Sequence, residues 1–370
     1  MRVVRVPEDP PPAQPPEAVV TIGNFDGVHR GHQALIRRVV QEAAARRLAS
    51  VVVTFEPHPR LVLRPDQPVR LLSTLEEKIE QLARLGVDEL VVWRFDHQTQ
   101  QLTAEEFLQR LCRWVRVRRL IHGPGFALGR GRQGTPPVIA AIGRRLGFEV
   151  EALHPLLVSL PTVPGHTPPG EPAAPVPVSS SAIRAMIEAG QVGAAAAALG
   201  RPPTLTGIVV PGERLGRALG FPTANLEVPE IQVVPADGVY AAWAELVPGH
   251  GDSEGCSSAC GTQQHPGGGI RAPGTQPIRR WPAAVSIGTR PQFGGTRRVV
   301  EAHLLDFDGD LYGTRMRLHF VARLRGQQRF SGVEELVEQI RHDVARVRRL
   351  LQHSPREPAA EHELLAADGG

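Results

Sequence analysis

In the first half of the chain, apolar residues gather in short runs separated by stretches of helical spacing. Residues 18–22 (AVVTI), 50–55 (SVVVTF), 89–93 (ELVVW) and a shorter run at 119–122 have strand length and show no polar alternation. That is the pattern of strands covered on both faces. Between them the period becomes that of a helix. From about Gly31 onward, Leu35, Ile36, Val39 and Val40 repeat on one face, and residues 104–114 form another helix. The segment 74–85 opens on Thr74 with Glu77 three positions later, the spacing of a capping box. Strand and helix in alternation predict a parallel sheet with crossover helices.

The second half has a different rhythm. Runs at 204–210, 238–246, 283–287, 299–307 and 315–322 read as strands separated by turn residues, with no helix among them. This predicts a mostly antiparallel β-barrel. Val333, Leu336, Val337, Ile340, Val344, Val347 and Leu351 then make the apolar stripe of a closing helix. A helical stretch over 180–199 crosses the join between the halves. Proline-rich 161–177 and glycine-rich 248–280 read as inserts, 7–16 as a proline-rich lead-in and 353–370 as a flexible tail. The domains are therefore expected at 17–186 and 187–352.

Composition narrows the function classes. A 370-residue chain that is 41% hydrophobic and 22% charged is globular and long enough for two cores. Its net charge of +4, without basic runs interleaved with aromatics, gives no reason to expect nucleic acid. No apolar run reaches membrane-span length, and the proline-rich start carries no secretory apolar region. Three cysteines make no disulfide framework, so a cytoplasmic protein acting on small molecules is the expectation. Lys78 is the only lysine. A GxxxxGK[ST] phosphate loop is therefore excluded, and any nucleotide must be held by other means.

Two constellations carry chemistry. Residues 20–32 (VTIGNFDGVHRGH) run from a buried strand through Gly23, Phe25 and Asp26 to His29, Gly31 and His32 at the start of a helix. Helix N-terminal amides attract phosphate, and two imidazoles three residues apart can donate to one triphosphate. The alternative is a surface loop with incidental histidines. In the second half, Gly212, Gly216 and Gly220 make a loop whose amides can approach phosphates, followed by Pro222, Thr223, Ala224 and Asn225. Thr223 and Asn225 offer neutral oxygen donors suited to Mg²⁺. Glu301, a carboxylate among apolar neighbours, can take a proton from an attacking hydroxyl. Singly, these also fit an ordinary hairpin turn and a solvated edge residue.

Taken together the motifs resemble those of the bifunctional riboflavin kinase/FAD synthetase family. GNFDGVHRGH, TFEPHP (54–59), LTAEEFL (102–108) and VSSSAIR (178–184) are similar to its HxGH nucleotidylyltransferase half. GxxxGxxxGFPTANL, DGVY, IGTRPxF, VEAHLLDF and LYG are similar to its kinase half. The resemblance implies a Rossmann-like α/β domain followed by a six-stranded barrel with a C-terminal helix. It implies riboflavin, FMN and FAD as substrates or products, with ATP as co-substrate and Mg²⁺ in both steps. It further implies that His29 and His32 act in adenylyl transfer, that Ser179, Ser180, Ser181 and Arg184 close on the triphosphate, that His58 and Phe126 face flavin, and that Glu301 is the base of the kinase. Gln292 stands where the family often has Thr, and two further segments depart from the family pattern. Gly125 stands where the family has Asp or Asn and Leu128 where it has Phe, while 325–330 (RGQQRF) lacks the usual glutamate. Three other readings follow: a kinase beside an inert first domain, transfer to some other phosphate ester, or a flavin-binding protein without turnover.

Overall fold

The computed structural model describes residues 1–158, 176–212, 216, 219–247, 279–292 and 295–352. The tail at 353–370, and all but the last two residues of each predicted insert, lie outside the described residues. The chain divides into two compact units. One comprises Met1–Ala185 with Ala197–Gly200 and Ile231–Val233; the other holds the remainder.

The first unit is built on six parallel strands: β1 (Arg2–Val6), β2 (Glu17–Ile22), β3 (Ala49–Glu56), β4 (Glu89–Arg94), β5 (Arg116–His122) and β6 (Glu149–Ala152). Their order is β1-β4-β3-β2-β5-β6. Strands β2 and β3 are buried on both faces, which is why their sequences are continuous apolar runs rather than alternating ones. Helix α1 (Arg30–Arg46) covers one face with Leu35, Ile36 and Val39 against Val19 and Val52. Helices α5 (Ala104–Leu111) and α6 (Pro136–Leu146) cover the other with Phe107, Leu108 and Ile139 against Val20, Val51 and Trp93. Two short helices, α2 (Pro59–Leu63) and α4 (His97–Gln101), follow β3 and β4. Helix α3 (Leu75–Arg84) starts on the expected capping box: Thr74 Oγ1 accepts from the Glu77 amide at 3.2 Å, and Glu77 accepts from the Thr74 amide at 3.1 Å.

Several elements differ from the sequence reading. The lead-in is preceded by a strand, β1, which pairs in parallel with β4 and buries Val4 and Val6. The helix expected to reach residue 114 ends at Leu111, so that Trp114 turns inward and packs edge-on against Trp93. The helix expected over 180–199 is two, α7 (Ser180–Glu188) and α8 (Val192–Leu199), separated where Gly190 takes a left-handed conformation. A short pair, β7 (Leu157–Val158) and β8 (Val176–Pro177), stands apart from the main sheet.

The second unit is a closed barrel of β9 (Thr204–Val210), β10 (Ala224–Glu227), β11 (Gly238–Val247), β12 (Arg280–Gln292), β13 (Gly295–Leu304) and β14 (Arg315–Arg325). The order is β10-β13-β12-β11-β14-β9, every pairing antiparallel. Leu205, Leu226, Tyr240, Val285, Ala302 and Phe320 fill its interior. Helix α9 (Val333–Gln352) packs outside through Val347 and Leu351 against Ala241 and Trp243. Its first half stays largely exposed, Val333 most of all among the apolar residues, so only the C-terminal part of the expected stripe is core. Buried Asp343 ties α9 to the barrel by accepting from Arg325 Nη2 at 2.8 Å and Nε at 3.0 Å.

Candidate active site

In the first unit the chain leaves β2 and turns sharply. Phe25 is left-handed, a single 3-10 turn spans Asp26–Val28, and α1 begins after His29. His29 is the N-cap of α1, its Nδ1 accepting from the His32 amide at 3.3 Å. The two rings stack with centroids 3.6 Å apart, and Phe25 meets His32 edge-on at 5.2 Å. The buried Nδ1 of His32 has no hydrogen-bond partner among the described residues. Burial, with the charges of His29 and Lys78 beside it, holds the His32 imidazole well below its ordinary value and therefore neutral at pH 7.

Asp26 joins this turn to the serine segment 158 residues away in sequence. Its buried carboxylate accepts from Arg184 Nη2 at 2.9 Å and from the Leu72 amide at 2.9 Å. Ser180 Oγ donates to the Asp26 carbonyl at 3.0 Å. The three serines do different work. Ser179 Oγ accepts from the Ala182 amide at 3.2 Å, a helix cap, and Ser181 Oγ lies 3.4 Å from Arg184 Nη1. Burial raises the Asp26 carboxyl above its ordinary value, opposed chiefly by Arg184. Asp26 is thus placed as the anchor of Arg184. Sequence spacing alone cannot show such a pair.

His58 and Phe126, expected to share one ligand, stand in different surroundings. His58 caps α2, with Nδ1 accepting from the Arg60 amide at 3.2 Å, and it feels the charges of Lys78 and Arg184. Phe126 instead stacks on His122 at 4.9 Å and 17°. Gly125 has φ +68, with open space where a Cβ would lie, and its carbonyl accepts from Arg132 Nη2 at 2.8 Å. Asn and Asp tolerate that left-handed conformation best after glycine, so the loop keeps a shape compatible with the family residues. Leu128 is buried in the core and pairs with Gly134 backbone to backbone at 2.9 and 3.0 Å, an apolar position that the departure from Phe preserves.

Burial, with the charges of Lys78, Arg184 and Arg60, lowers the His58 imidazole to about 4. In the unfolded chain it titrates near 6.5, so between the two values the unfolded state binds the additional proton. The first unit is therefore expected to lose about 3 kcal/mol from this group as pH falls from about 6.5 to about 4. Melting curves of the parent and His58→Gln across that range check it. The variant's stability should be flatter with pH, and parallel profiles would refute the expectation.

In the barrel unit the second constellation assembles across neighbouring strands. Asn225 on β10 lies opposite Glu301 on β13, and Glu301 lies opposite Ser286 on β12. Their neighbours Ala224, Leu226, Val300 and Ala302 point into the core, so Asn225 and Glu301 share the outer face of the barrel. The glycines of the preceding loop are explained by what presses on them. A Cβ at Gly212 would stand 2.1 Å from Asn225 Nδ2, and one at Gly216 would stand 2.4 Å from the Phe221 carbonyl and 3.1 Å from Thr223 Oγ1. Gly220 takes φ +85, and Pro222 follows it two residues later in the turn into β10. The five residues 213–215 and 217–218 lie outside the described residues.

His303, two positions after Glu301, was not singled out from sequence. Its Nδ1 lies 2.8 Å from the Pro222 carbonyl and its ring meets Phe221 edge-on at 5.6 Å. It therefore fastens the Phe221–Pro222 turn to β13. Gln327, where the family has glutamate, donates Nε2 to the Ile287 carbonyl at 2.7 Å. An ionised carboxylate cannot donate that bond. Among the described residues no group of three or more His, Cys, Asp or Glu side chains gathers as a metal site. Thr223 and Asn225 supply neutral oxygens that fit a hard cation sharing its shell with phosphate.

An FAD synthetase family model matches residues 12–162, and a riboflavin kinase family model matches residues 199–351. The chain is 34% identical over 326 residues to the bifunctional riboflavin kinase/FMN adenylyltransferase of Escherichia coli strain K12, covering 88% of this chain and 90% of that protein. It is 30% identical over 333 residues to the protein of the same description in Bacillus subtilis strain 168, again covering 88% and 90%. In fold it is similar to the crystal structure of a macrolide-efflux protein from Streptococcus pneumoniae, with TM-score 0.73 and 27% identity over 94% of this chain and 99% of that one. No helix among the described residues is long and apolar enough to cross a membrane. Fold and site define a two-unit transferase with an α/β half and a barrel half. The chain belongs to the bifunctional riboflavin kinase/FMN adenylyltransferase family and carries both of its domains. The reading of a kinase beside an inert first domain gives way to the bifunctional one.

Proposed function

We propose that the barrel unit phosphorylates riboflavin with ATP and that the α/β unit transfers AMP from a second ATP to the resulting FMN, giving FAD and pyrophosphate. The cross-strand placement of Asn225 against Glu301, under a loop whose glycines make room for Asn225 and Thr223, carries the kinase reading. There the ribityl 5′-hydroxyl attacks the γ-phosphorus, Glu301 accepts the hydroxyl proton and ADP leaves. Thr223 and Asn225 would hold Mg²⁺, which would neutralise phosphate charge. The amides of Gly212, Gly216 and Gly220 and the Pro222 turn cradle the phosphates. Positioning and charge neutralisation supply most of the rate.

In the α/β unit the FMN phosphate attacks the α-phosphorus. His29, His32, the start of α1 at Gly31 and the Ser179–Arg184 segment face the triphosphate, with Asp26 orienting Arg184. The neutral His32 imidazole donates a hydrogen bond without needing a counter-charge, which suits stabilisation of charge that develops only during transfer. Phe126 offers a face for the flavin ring, and His58 is read as facing the flavin with it. Use of ATP in both steps is consistent with a cytoplasmic enzyme.

Purified protein incubated with riboflavin, ATP and Mg²⁺ should form FMN first and FAD second, as followed by chromatography. FMN accumulating without FAD, even when FMN is supplied, would refute the transferase reading. No flavin product would refute both.

A further inference from the structure

Of 42 basic residues, Lys78 alone is lysine. It is also one of the most buried charged residues in the chain, at 5% exposure. Helix α3 places it one turn after the capping box, its amide bonded to the Thr74 carbonyl at 3.0 Å, so its position is rigid. The ammonium donates to Thr54 Oγ1 at 3.3 Å, and Thr54 donates to the Asn24 carbonyl at 3.1 Å. Asn24 immediately precedes Phe25 and Asp26 in the turn that opens α1. The charge of Lys78 is felt at Asp26, His32, Glu56 and His58, four groups of the candidate transferase site and its border.

An ammonium in such surroundings does little for stability. Its hydrogen bond is long and to a neutral hydroxyl, and one of its two carboxylate neighbours, Asp26, is already bonded to Arg184. Removing one partner of a buried ion pair ordinarily costs stability, but here Asp26 keeps its bond to Arg184 and burial already raises the Glu56 carboxyl toward its neutral form. A lysine kept here, in a chain that uses arginine everywhere else, needs another reason. Size supplies part of it, because a compact ammonium fits where the planar fork of arginine demands more room and more acceptors.

We propose that Lys78 is a positioning residue for adenylyl transfer, whose buried ammonium fixes the Asn24–Asp26 turn through Thr54 and adds positive charge beside it. It acts through the turn and through the field at the imidazoles, without touching substrate. The inference rests on reading residues 23–32 and 179–184 as the nucleotide site of the first unit.

The test uses the full chain, with kinase activity of the barrel unit as an internal standard. Lys78→Met should keep FMN formation and the melting temperature, while FAD formation from supplied FMN falls about 100-fold, mostly in kcat, as expected when a reacting group is displaced by an ångström or so. Lys78→Arg should fail similarly. Transfer within about threefold of the parent in either variant would overturn the proposal, that span lying inside the factor by which single-site effects vary with context. Loss of folding of the first unit in Lys78→Met would overturn it too, since Lys78 would then serve stability. His32→Asn, measured alongside, separates the failures. If it also leaves transfer intact, the site assignment is wrong; if it abolishes transfer while Lys78→Met does not, only the inference about Lys78 fails.

Discussion

Replacing Glu301 with glutamine is expected to slow FMN formation by about 10²–10⁴-fold, the usual contribution of a general base. The change is nearly isosteric, and Glu301 sits in an intact ladder between Asn225 and Ser286. The barrel should therefore fold normally, and KM for riboflavin should move little, because the lost interaction is made only as the hydroxyl proton departs. Conversion of supplied FMN to FAD should be unaffected. Steady-state rates of the two half-reactions on one preparation decide the matter. A kinase rate within about tenfold of the parent would remove Glu301 from the role of base, since that is less than the smallest effect expected of one.

The second large effect is expected at Arg184. Its guanidinium holds the buried Asp26 carboxylate at 2.9 Å, with side-chain exposures of 12% and 4%. Arg184→Ala leaves that carboxylate unpaired and should cost about 3 kcal/mol of stability in the first unit. FAD formation should fall about 10²–10³-fold, the loss typical of a donor aimed at developing charge. The double variant Asp26→Leu/Arg184→Met separates the two effects. Removing both charges should restore much of the stability, while transfer stays low because the phosphate clamp is still missing. If the double variant recovered transfer together with stability, Arg184 would be a structural partner of Asp26 and nothing more.

How far this was legible in the sequence depended on the range of the interaction. The strand–turn–helix at 18–40 and the Thr74–Glu77 capping box were readable because each is set by residues within a few positions of one another. Strand β10 escaped notice because it is four residues long, too short for any period, and owes its existence to β9 and β13 on either side. Strand β1 was hidden by its brevity and by the prolines that follow, although the buried Val4 and Val6 flank exposed Arg5. The break at Gly190 lay inside an alanine-rich run of high helix propensity, where one glycine is a weak signal. In the sites, local motifs named most of the candidate residues. Contacts across long separations, such as Asp26 with Arg184 or His303 with the Pro222 carbonyl, required the folded chain. The relation between Gly212 and Asn225 shows the difference well. Sequence suggested a loop meant to approach phosphate, whereas the structure shows that the loop must first admit the asparagine amide.

The placement of Asn225 and Glu301 as direct partners in a closed barrel bears on how such an enzyme can change over time. Their separation is fixed by hydrogen bonds of the backbone ladder, which a closed sheet leaves few ways to shear. Amino-acid replacements elsewhere, and insertions in the loops, can alter which flavin is admitted or how fast product leaves without moving these two candidate residues. Selection is thus free to tune affinity and turnover in the connections while the chemical step is inherited with the barrel.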